Sequence, residues 1–250
     1  MEYPNYSYPP GRFARAALDL LLARRRDLQQ DAKACIQQMN AELKVFGKEN
    51  IPQKGSCVLT INHYHRPGFG AQWIALAVTA LVPCKIRWAV TGELMCEGKW
   101  YRPVGSRASR IFLRRLAYIY GLMTMPPMPP RPEDVSARAA SVRAILAYVK
   151  NANDPVLGIS PEGHNPPTGA LSRPAEGFGR FALLLSRAGM RFIPAAGYEE
   201  HQSFHLHFGK PYGLNIPHDL TADQKDEQAM QVVMGNIACL LPVHLRGEFA

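Results

Sequence analysis

Apolar positions change their spacing along this chain, and the changes divide it into segments. The first eleven residues, dominated by Tyr and Pro, carry no period and read as an irregular tail. From about residue 12 to 46 the spacing is helical: Leu28, Ala32, Ile36, Met39, Leu43 and Phe46 recur three or four apart on one face. Ahead of them, Leu18, Leu20, Leu21 and Leu22 lie among Arg12, Arg15 and the run Arg24, Arg25, Arg26. That mixture suits a helix docked on the domain or one lying on anionic lipid.

Beyond Gly55 the rhythm becomes one of short apolar runs separated by helical stretches. Strands are predicted over 57–61, 85–90, 121–125, 155–160, 191–196 and 204–208. Helices are predicted over 70–81, 108–120, 135–150, 177–188 and 221–240, with a proline-rich loop at 126–132. Alternation of this kind indicates an α/β fold, a mainly parallel central sheet flanked by helices, here with an N-terminal helical segment. The expected division is a tail and amphipathic helical segment at 1–50 and an α/β domain at 51–250. There is no internal repeat and no low-complexity linker.

Hydrophobic residues make up 47% of the 250 and charged residues 20%, which excludes a mostly disordered chain and leaves enough apolar surface for one sizeable core. The longest apolar stretch, 69–84, is interrupted by Gln72 and Thr79 and is too short to span a bilayer. The N-terminus lacks the basic-then-apolar pattern of a secretory signal. Cys35, Cys57, Cys84, Cys96 and Cys239 are odd in number and form no CxxC pair, so reduced thiols in a cytoplasmic protein are expected. A net charge of +9 and a pI near 9.5 predict an anionic partner. With no zinc-finger spacing and no aromatic-studded basic strand, nucleic acid is not expected.

Two segments carry candidate chemistry. Asn62-His63-Tyr64-His65-Arg66-Pro67-Gly68 follows the first predicted strand of the α/β region, and in an open α/β sheet ligands bind at the carboxyl ends of strands. Imidazole is the side chain best suited to act as a base near neutral pH. Gly158-Ile159-Ser160-Pro161-Glu162-Gly163-His164-Asn165 follows another apolar run and sets a carboxylate beside a glycine. Ser160 is not a nucleophile elbow, since Pro161 follows it and the closing glycine is missing. The pairs His63/His65 and His205/His207 share a face if extended, but no acid follows at ligand spacing and no metal is expected.

Together these segments resemble the glycerolipid acyltransferase superfamily, which carries an Asn-His with His-x4-Asp spacing and, downstream, a Pro-Glu-Gly block. Asn62-His63 and Pro161-Glu162-Gly163 match them. Gly121-Leu122-Met123-Thr124-Met125, Pro174-Ala175-Glu176-Gly177-Phe178-Gly179, Phe192-Ile193-Pro194-Ala195 and Phe208-Gly209-Lys210-Pro211 resemble further family blocks in the right order, so the likeness covers about 51–245. It implies transfer of a fatty acyl chain from acyl-CoA or acyl carrier protein to a hydroxyl of a lipid acceptor such as a lysophospholipid. His63 would be the general base, and Glu162 and Gly163 would shape the acceptor side, with Asn62, His65, Arg66, Pro161 and His164 around the substrate. The implied partners are the acyl thioester, the lipid acceptor and an anionic membrane surface. No cofactor is needed beyond the thioester co-substrate. The implied location is cytoplasmic, peripheral to the inner face of the membrane.

The pattern also departs from the family. Gly68 stands where the Asp is expected, leaving Glu93 or Glu162 to orient His63. The arginine that usually ends the second block falls at Pro127, and the Thr-Arg that follows the third falls at His164-Asn165. Arg131 and Arg173 are the remaining candidates for an anionic part of the substrate. Arg102, Arg107, Arg110, Arg114 and Arg115 flank apolar residues of one helix, as a solvated face or a contact for head groups or donor phosphates. The departures make a second expectation: a family member that binds lipid or acyl chains at a membrane surface without turnover.

Overall fold

The computed structural model describes residues 4, 6–95, 102–166 and 168–250; Cys96 and the side chain of Arg102 lie outside the described residues. The seven strands are β1 (Glu42–Phe46), β2 (Cys57–Ile61), β3 (Ile86–Thr91), β4 (Met123–Met125), β5 (Val156–Ile159), β6 (Arg191–Glu200) and β7 (Ser203–Phe208). They form one sheet in the order β1-β7-β6-β2-β5-β3-β4. β6 and β7 run antiparallel; the other strand pairings among the described residues are parallel.

β2 sits at the centre with β5 and β6 on either side, and all five of its residues are buried. A parallel strand covered on both faces reads as a continuous apolar run, which is what Cys57, Val58, Leu59 and Ile61 provide. The helices are α1 (Pro10–Leu21), α2 (Leu28–Gln37), α3 (Ala71–Leu81), α4 (Arg102–Tyr120), α5 (Val135–Asn151), α6 (Phe178–Arg187) and α7 (Ala222–Ala238). α3 buries Trp73, Ile74, Ala77 and Val78. α7 begins with a reciprocal cap between Thr221 and Gln224 and buries Met230, Val233, Met234 and Ile237.

The continuous helical segment expected over 12–46 is not formed. α1 ends before Ala23, whose φ of 50° leaves the helical region, and α2 restarts at Asp27, whose side chain accepts from the N–H groups of Gln29 and Gln30. Residues 42–46 then form an edge strand in register with β7, Leu43 opposite Phe204 and Val45 opposite Leu206. Five residues are too few for their own spacing to separate a helical from a strand period, and the waiting edge of β7 decides. A strand from the segment 1–50 therefore completes the sheet.

Arg26 gathers the N-terminal helices. It pairs with Asp19 of α1, with Asp31 of α2 at 2.8 Å, and with the Tyr120 hydroxyl of α4 at 3.2 Å, its side chain only 8% exposed. The tail is also seated: Tyr6 packs edge-on against Phe69 and tilted against Trp73. Among the described residues, no helix is long and apolar enough to cross a membrane.

Candidate active site

β2 and β5 are adjacent and in register, Leu59 opposite Gly158 and Thr60 opposite Ile159, so their carboxyl ends open onto the same side of the sheet. His63 and Glu162 are carried two and three residues past those ends. Polar contacts join the loops. The Ser160 hydroxyl donates to the Ile61 carbonyl at 3.0 Å, and the His63 backbone N–H donates to Glu162 Oε2 at 2.6 Å.

Glu162 is 1% exposed. Its other oxygen, Oε1, accepts from the Ser172 backbone N–H at 2.9 Å and from the Ser172 hydroxyl at 3.2 Å. Burial pushes its carboxyl up to about 7, against the downward pull of the N–H donors from Ser172 and His63. Its contacts mark it as the clasp of the loop that bears His63. His164 lies alongside, its Nδ1 2.8 Å from the Glu162 carbonyl and its Nε2 3.3 Å from the Ser172 hydroxyl.

Asn62 is buried and both polar atoms of its amide are bonded: Nδ2 donates to the Gly197 carbonyl at 2.9 Å and Oδ1 accepts the Gly197 N–H at 2.8 Å. The pair pins the start of the His63 loop to β6, so Asn62 acts on the site through the backbone. Arg66 holds Glu199 through two hydrogen bonds, at 2.7 and 2.6 Å, and donates to the Pro4 carbonyl. The tail is thereby strapped to the same loop.

The His63 ring meets Asn165, with Nδ1 3.1 Å from Oδ1. Burial lowers the His63 pKa, and the nearby His164 and His65 lower it further, while the Asn165 contact works the other way. Neither carboxylate considered for orienting this ring touches it. Glu162 reaches only the His63 backbone, and Glu93 accepts from Arg110 at 2.6 Å, with Arg131 3.6 Å away. Arg131 further pairs with Asp134. Arg173 pairs with Glu227 and Glu248 and lines a cleft of about 320 Å³ between the segment 173–180 and α7, which takes no residue of the His63 cluster.

Pro161 is buried, and Gly163 takes a φ of +68°, where a Cβ would meet Met128 Cγ at 2.8 Å. The proline-rich loop is thus packed directly on the turn after Glu162, and Arg138 holds that loop by donating to the Pro127 carbonyl. His65 is exposed. His205 and His207 lie elsewhere, on β7, where His207 stacks on Phe46 and Tyr198 and His205 packs tilted against the same rings. Among the described residues, no group of three or more His, Cys, Asp or Glu side chains is placed to hold a metal ion.

A family model described as Acyltransferase matches residues 42–197, from the first residue of β1 to the glycine that binds Asn62. The chain belongs to this family. The fold is also that of a solved relative: the 1-acyl-sn-glycerophosphate (LPA) acyltransferase PlsC from Thermotoga maritima superimposes with a TM-score of 0.50 at 13% identity, over 85% of this chain and 78% of that one. A search of curated proteins finds no match by sequence. Membership of the acyltransferase family accounts for the blocks that lie within 42–197, and it implies an acyl donor and a lipid acceptor as the substrates.

Two site residues escape a reading of the sequence. Ser172 carries no signal at all. Asn165 is signalled only by its place two residues beyond Gly163, where it first registers as the absence of the family's arginine.

Proposed function

We propose that this acyltransferase moves a fatty acyl chain from an acyl thioester, on CoA or acyl carrier protein, to a hydroxyl of a lipid acceptor such as a lysophospholipid. The observation that carries this reading is the state of His63. Its backbone is clasped by Glu162, its Nδ1 is engaged, and burial lowers its pKa, which favours the neutral ring. A neutral imidazole with one nitrogen anchored presents the other as a base.

Nε2 takes the proton of the acceptor hydroxyl as its oxygen attacks the thioester carbonyl. The tetrahedral adduct then collapses with cleavage of the C–S bond, and the imidazolium returns the proton to the departing thiolate. The products are an ester and a free thiol. Glu162 and Asn62 hold the loop that makes this geometry, and His164, His65 and Gly163 border the substrate.

The acceptor is met at an anionic membrane surface from the cytoplasmic side. α1 exposes Phe13 (64%) and Leu21 (67%), and α4, which packs on it, exposes Ile111 (57%) and Phe112 beside Arg107, Arg114 and Arg115. Exposed large apolar side chains interleaved with arginine suit the head-group boundary of such a bilayer.

The test is thiol release from palmitoyl-CoA, and from palmitoyl-acyl carrier protein, with a panel of lysophospholipids, glycolipids and long-chain alcohols. Acceptor-dependent release that disappears in His63→Ala is the expected result. Vesicle binding with no release above that variant would overturn the reading in favour of a family member that holds lipid without turnover. Gly68, in place of the family's aspartate, is the observation that favours that second reading.

A further inference from the structure

The segment where the family places its aspartate is a tight turn. Arg66 and Phe69 exchange backbone hydrogen bonds at 3.1 and 3.0 Å, Pro67 stands at the first corner, and Gly68 at the second has a φ of +86°. Pro then Gly with positive φ is the pattern of a type II turn. A side chain at 68 would be strained there, and its Cβ would meet Arg66 Nη1 at 3.0 Å, on a guanidinium already paired with Glu199. This turn favours glycine at 68 and carries no carboxylate to orient the histidine.

Another group reaches the ring instead. Asn165 Oδ1 lies 3.1 Å from His63 Nδ1, and it belongs to the loop whose Glu162 holds the His63 N–H at 2.6 Å. The backbone and the ring of His63 are thus both held by the segment after β5. A side-chain oxygen facing Nδ1 accepts an N–H there and leaves the Nε2 lone pair open.

We propose that Asn165 is the positioning residue of His63, fixing the Nδ1–H tautomer in place of the carboxylate that is absent at Gly68. The inference rests on His63 as the base. An amide orients the ring as a carboxylate does, but it supplies no charge to stabilise the imidazolium that forms during transfer. The Asn165 contact raises the His63 pKa against the lowering by burial, and a carboxylate in its place would raise it further. Asn165 also explains why the arginine of the third family block is absent here: its place is taken by the group that aims the histidine.

The experiment is ring-nitrogen NMR of the full chain, with the His63 signals assigned by comparison with His63→Gln, followed through a pH titration in wild type, Asn165→Ala and Asn165→Asp. The expected wild-type signature is a neutral ring protonated at Nδ1. In Asn165→Ala the ring shifts toward the Nε2–H form that histidine favours in water, and kcat falls by about 100-fold with KM nearly unchanged. In Asn165→Asp the Nδ1–H form persists, the titration midpoint rises by about one unit, and kcat at pH 7.5 recovers or exceeds wild type. Asn165 is exposed, so neither substitution disturbs the core. An Nε2–H ring in wild type, or a ring and midpoint unmoved in both variants, would overturn the inference. The spectra need no turnover, so absence of thiol release would fail the acyltransferase reading alone.

Discussion

The buried carboxylate of Glu162 accepts the backbone N–H of His63 at 2.6 Å, tying together loops that leave two adjacent parallel strands. The bond fixes where the ring begins. Because Oε1 meanwhile accepts from Ser172, each oxygen of Glu162 faces a backbone donor. An amide in its place would turn its NH2 toward one of these donors. Glu162→Gln is expected to lose roughly 1–3 kcal/mol of stability in urea denaturation, the cost of a buried donor without an acceptor. Transfer activity should fall with it as the His63 loop loosens.

Asn62 makes a sharper test of how far positioning matters. Its amide satisfies both backbone groups of Gly197 in a buried setting. Asn62→Ala leaves an N–H and a C=O unpaired, which should cost about 2–4 kcal/mol, read as a lower urea midpoint. Asn62→Asp should rescue little, since a carboxylate cannot donate to the Gly197 carbonyl.

The acid limb of the activity profile should sit low. Burial depresses His63, so its neutral form persists below the ordinary histidine pKa of about 6.5. A plot of kcat against pH is expected to fall on the acid side with a midpoint below that value, and a midpoint above 6.5 would contradict burial as the dominant influence.

Stability should respond to pH from both directions. His205 and His207 are also depressed by burial, so their contribution is present above the ordinary histidine pKa and lost as pH falls through their folded values. Glu162 has the opposite sign. Raised to about 7, it contributes fully below the ordinary carboxylate range, and that contribution is lost as pH rises through 7. Urea midpoints measured from pH 5 to 8 should show the acid-side loss shrink in a His205→Gln/His207→Gln variant and the alkaline-side loss shrink in Glu162→Gln.

The apolar faces of α1 and α4 should matter to lipid and not to folding. Replacing Phe13, Leu21, Ile111 and Phe112 by Ser removes side chains that are largely exposed. Co-sedimentation with anionic vesicles should weaken by about tenfold or more, given roughly 1.5–3 kcal/mol for each such side chain fully buried. The melting temperature should stay within a few degrees of wild type.

Much of this protein is determined by sequence alone. Strand–helix alternation after Gly55 is strong because the central parallel strands β2 and β5, buried on both faces, must be apolar throughout, and each covering helix must carry an apolar stripe. The two loops of interest are legible for the same reason: they follow the central strands β2 and β5, and their residues cannot be read as core. Where the chain is short and its spacing fits two periods, the sequence falls silent. Residues 42–46 continue a helical pattern on paper and become a strand because β7 offers a free edge.

Side-chain partners are the other matter that only the tertiary structure decided. Arg66, Arg131 and Arg173, each a reasonable anion-binding candidate by residue type, are each drawn to carboxylates distant in sequence or on a neighbouring turn. Asn165 has no period, no charge and no motif of its own, yet register between β2 and β5 carries it to the His63 ring across 102 residues of chain. A hydrogen bond of that kind depends on distance and direction in space, and spacing along the chain encodes neither.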